Sequence, residues 1–198
     1  MSNWLPYDLV SILPRTLPST SAAPSVGSKA PALEGVDFTQ SGGPHLVAFV
    51  RHCGCPFAQK EVQLLGKAVK DSGDKVKVVI VQHAEQAAID NWWKAIEGDK
   101  HLPNANIISD PEHKVYAAWG IGSLSFFGLF WPPSLYELIK LGYQEGVVNT
   151  ATQKGAWRFQ NSGGFAIDAQ GNVQYSKIAR HPGDVVPYDQ IWTKAACN

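Results

Sequence analysis

Two apolar runs joined by an amphipathic stretch form the most regular part of the sequence. The first run, residues 45–50, is short and continuous, which is typical of a buried strand. Residues 56–71 predict a helix, because apolar positions recur there on one helical face (Ala58, Val62, Leu65 and Val69). A second, β-branched run follows at residues 76–81. This order predicts a βαβ unit with parallel strands, whose functional edge lies where the strands end.

The rest of the pattern continues the alternation of strands and helices. Gly98 is expected to end one helix, and Asp110 and Pro111 suit the N-cap and first position of another. The predicted elements are helices over 85–97, 110–119, 135–141 and 189–196, a strand over 105–109, and a β-hairpin over 164–178. Together they predict an α/β fold with a central mixed sheet flanked by helices.

Length and composition indicate one domain with two unusual segments. A chain of 198 residues is too short for two well-packed domains. Residues 1–26 are rich in Pro, Ser, Thr and Ala, and predict an irregular N-terminal arm before a domain over 27–198. Residues 121–163 form an aromatic-rich insertion. This insertion is expected to cover the active site, to line an apolar pocket, to lie in a homodimer interface, or to be buried within the monomer.

Charge and cysteine content exclude several classes of function. A formal net charge of zero gives no reason to expect nucleic acid or an acidic membrane as partner. Three cysteines do not make a disulfide framework. The N-terminus lacks a basic region followed by an apolar core, so we expect no signal peptide, no membrane span and a reducing, cytoplasmic location. The chain has no phosphate loop, dinucleotide fingerprint or H-E-x-x-H motif, and we expect no cofactor and no metal.

The strongest candidate for chemistry is Cys55, between the first strand and the helix. Pro56 suits the first helical position, so Cys55 is expected at the N-cap, where unpaired N–H groups and the helix dipole favour a thiolate. Arg51 and His52 lie just upstream and are expected to add positive charge. His83 follows the second strand and is expected at the same sheet edge. A buried cysteine that only packs is the alternative interpretation.

Four segments carry a resemblance to a known family: Gly27–Pro31, Phe49–Phe57, Ser109–Tyr116 and Trp157–Asp168. In these segments the sequence resembles the AhpC/TSA superfamily, in particular its peroxiredoxin-like branch. The resemblance implies a thioredoxin-like fold with peroxiredoxin-type elaborations. It also implies that Cys55 is the peroxidatic cysteine, whose thiolate attacks a peroxide and becomes a sulfenic acid that a thiol then resolves.

Four positions depart from that family's pattern. His52 stands where the family has a peroxide-positioning Thr, and Ala48 stands where it has a Pro. Asn161 stands near the place of a family Arg, with Arg158 slightly upstream as the substitute. Ala58 replaces the second cysteine of a Cys-Pro-x-Cys motif. Peroxide activation is therefore assigned to Arg51, His52 or Arg158, and substrate contacts are expected from Pro56, Phe57, Trp119, Phe127 and Arg158.

Three thiols are candidates for resolving the oxidised Cys55. Cys53 is either a redox partner or a small residue that ends the strand, and a C-x-C disulfide would be strained and easily reduced. Cys197 is either a resolving thiol on a flexible tail or an incidental exposed thiol. An external thiol reductant is the third candidate.

Three functions follow. The first is a thiol-dependent, peroxiredoxin-like peroxidase or thiol oxidoreductase, an antioxidant enzyme in which His83 and His52 tune Cys55 or donate protons. The second is a diverged enzyme for an apolar organic substrate in specialised biosynthesis. The third is a non-enzymatic binding protein that uses the surface of residues 121–163.

Overall fold

A five-stranded mixed sheet forms the centre of the molecule. The computed structural model describes residues 6–40 and 42–196. The strands are β1 (His45–Phe49), β2 (Lys77–Gln82), β3 (Asn106–Ser109), β4 (Gly163–Ile167) and β5 (Val173–Ile178). They run in the order β3-β2-β1-β4-β5, with β1, β2 and β3 parallel and the β4–β5 hairpin antiparallel to β1. The mixed sheet expected from the sequence is confirmed.

Helices cover both faces of this sheet. They are α1 (Tyr7–Val10), α2 (Pro56–Asp71), α3 (Gln86–Ala95), α4 (Gly98–His101), α5 (Lys114–Ala118), α6 (Phe126–Leu129), α7 (Pro132–Glu145) and α8 (Tyr188–Ala196). Strand side chains alternate between the faces. Leu46 and Ala48 of β1 pack with α2, α3 and α8, whereas Val47 and Phe49 pack with Tyr116 of α5 in a second core.

Helix α2 begins and ends where the sequence predicts, but two other boundaries were predicted wrongly. Helix α5 begins at Lys114 and not at Asp110, because the Asp110 carboxylate accepts hydrogen bonds from the N–H groups of residues 114, 115 and 116 at 2.8–3.0 Å. The expected stop at Gly98 is instead the start of α4. A Cβ on Gly98 would lie 2.2 Å from the Trp93 ring, so that glycine permits close packing.

The aromatic insertion and the arm both contain helix that was not predicted. Helix α7 is longer than the predicted 135–141, and α6 precedes it. The arm contains the single turn α1. Arm residues are held to the body by the Arg158 N–H, which donates to the Ser11 carbonyl, and by Trp157 Nε1, which donates to the Leu13 carbonyl at 2.9 Å. None of the helices in the described residues has the length and apolar character required to span a membrane.

Candidate functional site

A tight turn places Cys55 at the beginning of α2. The Cys55 N–H donates to the His52 carbonyl at 3.0 Å, and the Cys55 carbonyl accepts from Ala58 N–H at 3.1 Å. Cys55 is the N-cap residue in an extended conformation (φ −76°, ψ 127°), and its side chain makes no capping hydrogen bond. The thiol is therefore not engaged as a cap, and it lies at the positive end of the helix dipole.

Gly54 is required by the geometry of this turn. Its φ is +104°, in the region that favours glycine. A Cβ there would also lie 3.1 Å from the Thr150 carbonyl oxygen and 3.2 Å from that of Ala151. The loop that follows α7 thus packs directly against the turn that carries Cys55.

Cys55 lines a cavity of about 410 Å³ on the carboxyl-terminal edge of the parallel strands. The cysteine itself is 5% exposed. The apolar lining side chains come from the arm, from α2 and from the aromatic insertion: Leu9, Ile12, Pro56, Phe57, Leu129, Phe130, Trp131, Leu135, Leu138 and Pro182. The polar lining side chains are Asp8, Arg51, His52, Ser134, Asn149 and Arg158. The volume falls in the range of small-molecule sites.

Arg51 brings an uncompensated positive charge to this cavity. Its side chain is 2% exposed, and Nη2 donates to the Arg158 carbonyl at 2.6 Å. Nε and Nη1 have no hydrogen-bond partner, and within residues 6–40 and 42–196 no carboxylate forms an ion pair with Arg51. A buried, unpaired cation is costly, so it favours an anion beside it.

Glu61 is buried on the same helix as Cys55 and forms no ion pair with Arg51 in the described part of the chain. Burial, and secondarily negative charge at Cys55, raise the pKa of Glu61 well above its usual value. Its surroundings therefore favour the protonated, uncharged form of the carboxyl group.

His52 lines the cavity as a neutral imidazole. Burial, followed by the charge of Arg51, lowers the pKa of His52 to about 3. Its Nδ1 lies 3.2 Å from the Cys53 carbonyl oxygen, which can only accept, so Nδ1 carries the proton and Nε2 is an acceptor. The expectation that His52 adds positive charge is therefore wrong.

Known structures with the same fold were found, although no protein-family model and no curated protein matches the sequence. A peroxiredoxin-like protein from Aquifex aeolicus is 14% identical and aligns over 90% of both chains with a TM-score of 0.57. Peroxidoxin BcpB from Mycobacterium tuberculosis is 14% identical over 87% of this chain and 96% of its own, with a TM-score of 0.54. A thiol peroxidase from Chromobacterium violaceum is 16% identical over 89% of both chains, with a TM-score of 0.52.

This chain has the peroxiredoxin-like form of the thioredoxin fold. The fold implied by the sequence resemblance is confirmed. Sequence identities this low establish a shared fold but not a shared activity.

Within this peroxiredoxin-like fold, the predicted residues near Cys55 fall into two groups. Pro56, Phe57 and Arg158 line the cavity together with Arg51 and His52. Cys53 is 0% exposed, and burial raises the pKa of its thiol to about 12, so it remains protonated. Cys197 lies outside the described residues.

His83 lies at the expected sheet edge but not in the cavity lining. It is 1% exposed, its Nε2 accepts from Trp157 N–H at 3.2 Å, and its ring stacks on His113 at 5.0 Å. Burial, followed by His113, lowers the pKa of His83 well below its usual value. The ring is therefore a neutral acceptor that supports the loop carrying Arg158.

Trp119 and Phe127 do not line the cavity, contrary to the expected substrate contacts. Trp119 is buried in the core on the other sheet face, where its ring packs 4.9 Å from that of Phe165. Phe127 is 82% exposed, because the single turn of α6 directs Leu129 and Phe130 toward the cavity instead. Phe127 lies two residues before Leu129 in sequence, and the turn of the chain separates the two side chains in space.

Sequence reasoning missed the contribution of the arm. Asp8, Leu9 and Ile12 line the cavity, and Asp8 forms an ion pair with Arg158 at 2.6 Å. The available signal was that Asp8 is the sole carboxylate among residues 1–26, beside apolar residues at helical spacing. In the described part of the chain, no three His, Cys, Asp or Glu side chains are arranged to hold a metal ion.

Proposed function

We propose that this protein is a thiol-dependent peroxidase that reduces hydroperoxides through Cys55. The observation that carries the proposal is Cys55 at the first turn of α2, in a cavity where a buried Arg51 has no anionic partner among the described residues. A cation and the positive end of a helix dipole at this place stabilise the negative charge that develops on the departing oxygen in the transition state.

The reaction requires only a hydroperoxide and thiols. The Cys55 thiolate attacks the terminal oxygen of ROOH, an S–O bond forms, the O–O bond breaks, and the leaving RO⁻ takes up a proton to become ROH. The product is a Cys55 sulfenic acid. One external thiol then condenses with it, giving a mixed disulfide and water, and a second thiol releases Cys55 with formation of an external disulfide.

An external reductant suits this chain better than Cys53. The Cys53 thiol is fully buried and its pKa of about 12 keeps it protonated, whereas attack on a sulfenic acid requires a thiolate. A reducing compartment such as the cytoplasm supplies such thiols.

Stopped-flow oxidation of the reduced protein tests the proposal. Hydrogen peroxide and cumene hydroperoxide are mixed with the wild type, with Cys55→Ser and with the matched control Cys53→Ser. We expect Cys55 to react at least about a hundredfold faster than a free thiol, a gain of the size that oriented charge provides. The fast phase disappears in Cys55→Ser and persists in Cys53→Ser, and mass spectrometry finds the sulfenic acid on Cys55. Reaction no faster than that of a free thiol would exclude the peroxidase.

A second candidate function is conversion of an apolar organic molecule without peroxide. The size and apolar lining of the cavity favour it, since hydrogen peroxide occupies only a small part of about 410 Å³. In that reaction His52 Nε2 is the general base and Cys55 the covalent nucleophile. Slow oxidation by both peroxides, combined with rapid alkylation of Cys55 by an apolar electrophile, is the result that distinguishes it.

A further inference from the structure

Asp8 places a carboxylate of this chain inside the cavity that contains Cys55. Its Oδ1 accepts from Arg158 Nη2 at 2.6 Å and from Thr152 Oγ1 at 2.6 Å. Both hydrogen bonds, that of Thr152 first, lower the pKa of Asp8. Asp8 and Arg158 both line the cavity. Arg158 and Thr152 thus form a position that already binds a carboxylate.

This internal carboxylate is easily displaced. The Asp8 side chain is 65% exposed and that of Arg158 is 31% exposed, and ion pairs with this exposure contribute little to stability. The arm has other attachments: Arg158 N–H donates to the Ser11 carbonyl at 2.9 Å, and Arg158 Nε donates to Ser11 Oγ at 3.0 Å. Rotation of the Asp8 side chain therefore frees the guanidinium edge without detaching the arm.

The remaining lining of the cavity is suited to an apolar body. Its apolar lining includes Trp131, Leu135 and Leu138 of the aromatic insertion and Leu9 and Ile12 of the arm. An occupant with an apolar chain and one carboxylate matches both parts of the site, whereas hydrogen peroxide uses neither. Charge-assisted hydrogen bonds to arginine also fix the orientation of a carboxylate.

We propose that the cavity takes an amphipathic organic hydroperoxide whose carboxylate replaces Asp8 on Arg158, while its peroxide group reaches Cys55. The substrate class rests on the peroxidase activity proposed above. The carboxylate position on Arg158 does not depend on that activity. In this scheme Arg158 selects the substrate, Arg51 compensates charge at the sulfur, and Asp8 occupies the anion position when no substrate is bound.

Binding of non-peroxide probes tests the carboxylate position by itself. Decanoate and 1-decanol are titrated into the reduced protein, with the fluorescence of the tryptophans, among them Trp131 in the cavity wall, as the signal. We expect decanoate to bind about tenfold more tightly than decanol, the effect of one charge-assisted contact. In Asp8→Asn the affinity for decanoate rises about two- to fivefold, because an exposed ion pair no longer competes, and the affinity for decanol is unchanged.

A matched control and a loss-of-charge variant complete the experiment. Asp37→Asn is the control, since Asp37 is likewise exposed and accepts from a threonine hydroxyl, Thr39 Oγ1, at 2.7 Å, but lies outside this cavity. Arg158→Gln removes the preference for decanoate, and Arg158→Lys retains part of it. Equal binding of the two probes by the wild type overturns the proposal, as does a preference that persists in a folded Arg158→Gln. If Arg158→Gln does not fold, the Asp8→Asn variant decides. The proposal is then overturned if the affinity of Asp8→Asn for decanoate is no higher than that of the wild type.

Oxidation kinetics separate this proposal from the peroxidase itself. A carboxylate-bearing fatty-acid hydroperoxide and its methyl ester are compared by the rate at which they oxidise Cys55, and the acid is expected to react about tenfold faster. If decanoate is preferred but no hydroperoxide oxidises Cys55, the carboxylate position stands and the peroxidase fails. If Cys55 is oxidised rapidly but the acid and its ester react equally, the peroxidase stands and the carboxylate position fails.

Discussion

At Arg51, the buried charge that is expected to speed the reaction is also expected to cost folding free energy. It is a buried cation whose Nε and Nη1 have no hydrogen-bond partner in the described part of the chain, and it lines the same cavity as the cysteine that we propose as nucleophile. Replacing it with Gln removes the charge that stabilises the anion in the transition state, so the second-order rate of Cys55 oxidation is expected to fall about 10²- to 10³-fold. Stopped-flow measurement with hydrogen peroxide gives this rate.

The same substitution has a small expected effect on folding. Loss of the hydrogen bond to the Arg158 carbonyl costs about 1 kcal/mol, and removal of an unpaired buried charge offsets it. Arg15→Gln is the control, since Arg15 also donates to loop carbonyls, of Gly155 and Ala156, but does not line the Cys55 cavity. An Arg51→Gln variant that oxidises as fast as the wild type contradicts the role assigned to this charge.

At the scale of single residues, local sequence predicted the place of a side chain within its helix or strand better than it predicted the burial and the neighbours of that side chain. The position of Cys55 follows from Pro56 and the apolar spacing of one helix, and the structure has it at the N-cap. The neutral state of His52 depends on burial and on Arg51, which sequence spacing does not reveal. The placement of Trp119 depends on which sheet face α5 covers, and that is decided by packing between distant segments.

Helix α5 shows how one side chain fixes an element boundary. Asp110 accepts hydrogen bonds from three backbone N–H groups in the first turn, four to six residues further along the chain. Asp110→Ala leaves those donors without their acceptor and is expected to lower the free energy of unfolding by about 1–3 kcal/mol. Urea denaturation measures the change. Glu112→Ala is the matched control in the same segment, where an exposed side chain pairs with Lys114, and it should leave the urea midpoint unchanged.

Element boundaries were predictable where a single local rule applied. Helix α2 has a proline at its first position and a continuous apolar stripe, and its bounds agree with prediction. Helix α5 and Gly98 were predicted wrongly because the deciding contacts are a carboxylate reaching forward over several residues and a tryptophan ring folding back over a glycine. Sequence patterns record residue types at fixed spacing and do not record such contacts.

At the scale of the whole molecule, the parallel pairing of strands followed from the sequence, and the route of the arm did not. Alternating strands and helices specify parallel pairing of β1, β2 and β3. The arm has no comparable periodicity, and its course is set by side chains more than 140 residues away, such as Arg158 and Trp157. These long-range contacts bring Asp8, Leu9 and Ile12 of the arm into the lining of the cavity that contains Cys55.

The buried histidines give the whole molecule a pH-dependent stability. Burial lowers the pKa of His45 to about 4 and that of His52 to about 3, and it also lowers the pKa values of His83 and His113. Between pH 7 and pH 5 these side chains take up more protons in the unfolded state, where the pKa is about 6.5, than in the folded state. The free energy of unfolding therefore falls as the pH falls. The raised pKa of Glu61 acts in the opposite direction over the same range.

A single substitution isolates one histidine from this sum. His52→Asn retains an amide donor near the position of Nδ1 for the Cys53 carbonyl and cannot titrate. Because Glu61 and the other histidines are unchanged, the difference between the two proteins reports His52 alone. The wild type is expected to lose about 2 kcal/mol more than the variant between pH 7 and pH 5, which urea denaturation at the two pH values measures. An equal loss in both proteins would show that His52 takes up its proton without unfolding. That result would contradict the assignment of a buried, neutral imidazole to the site.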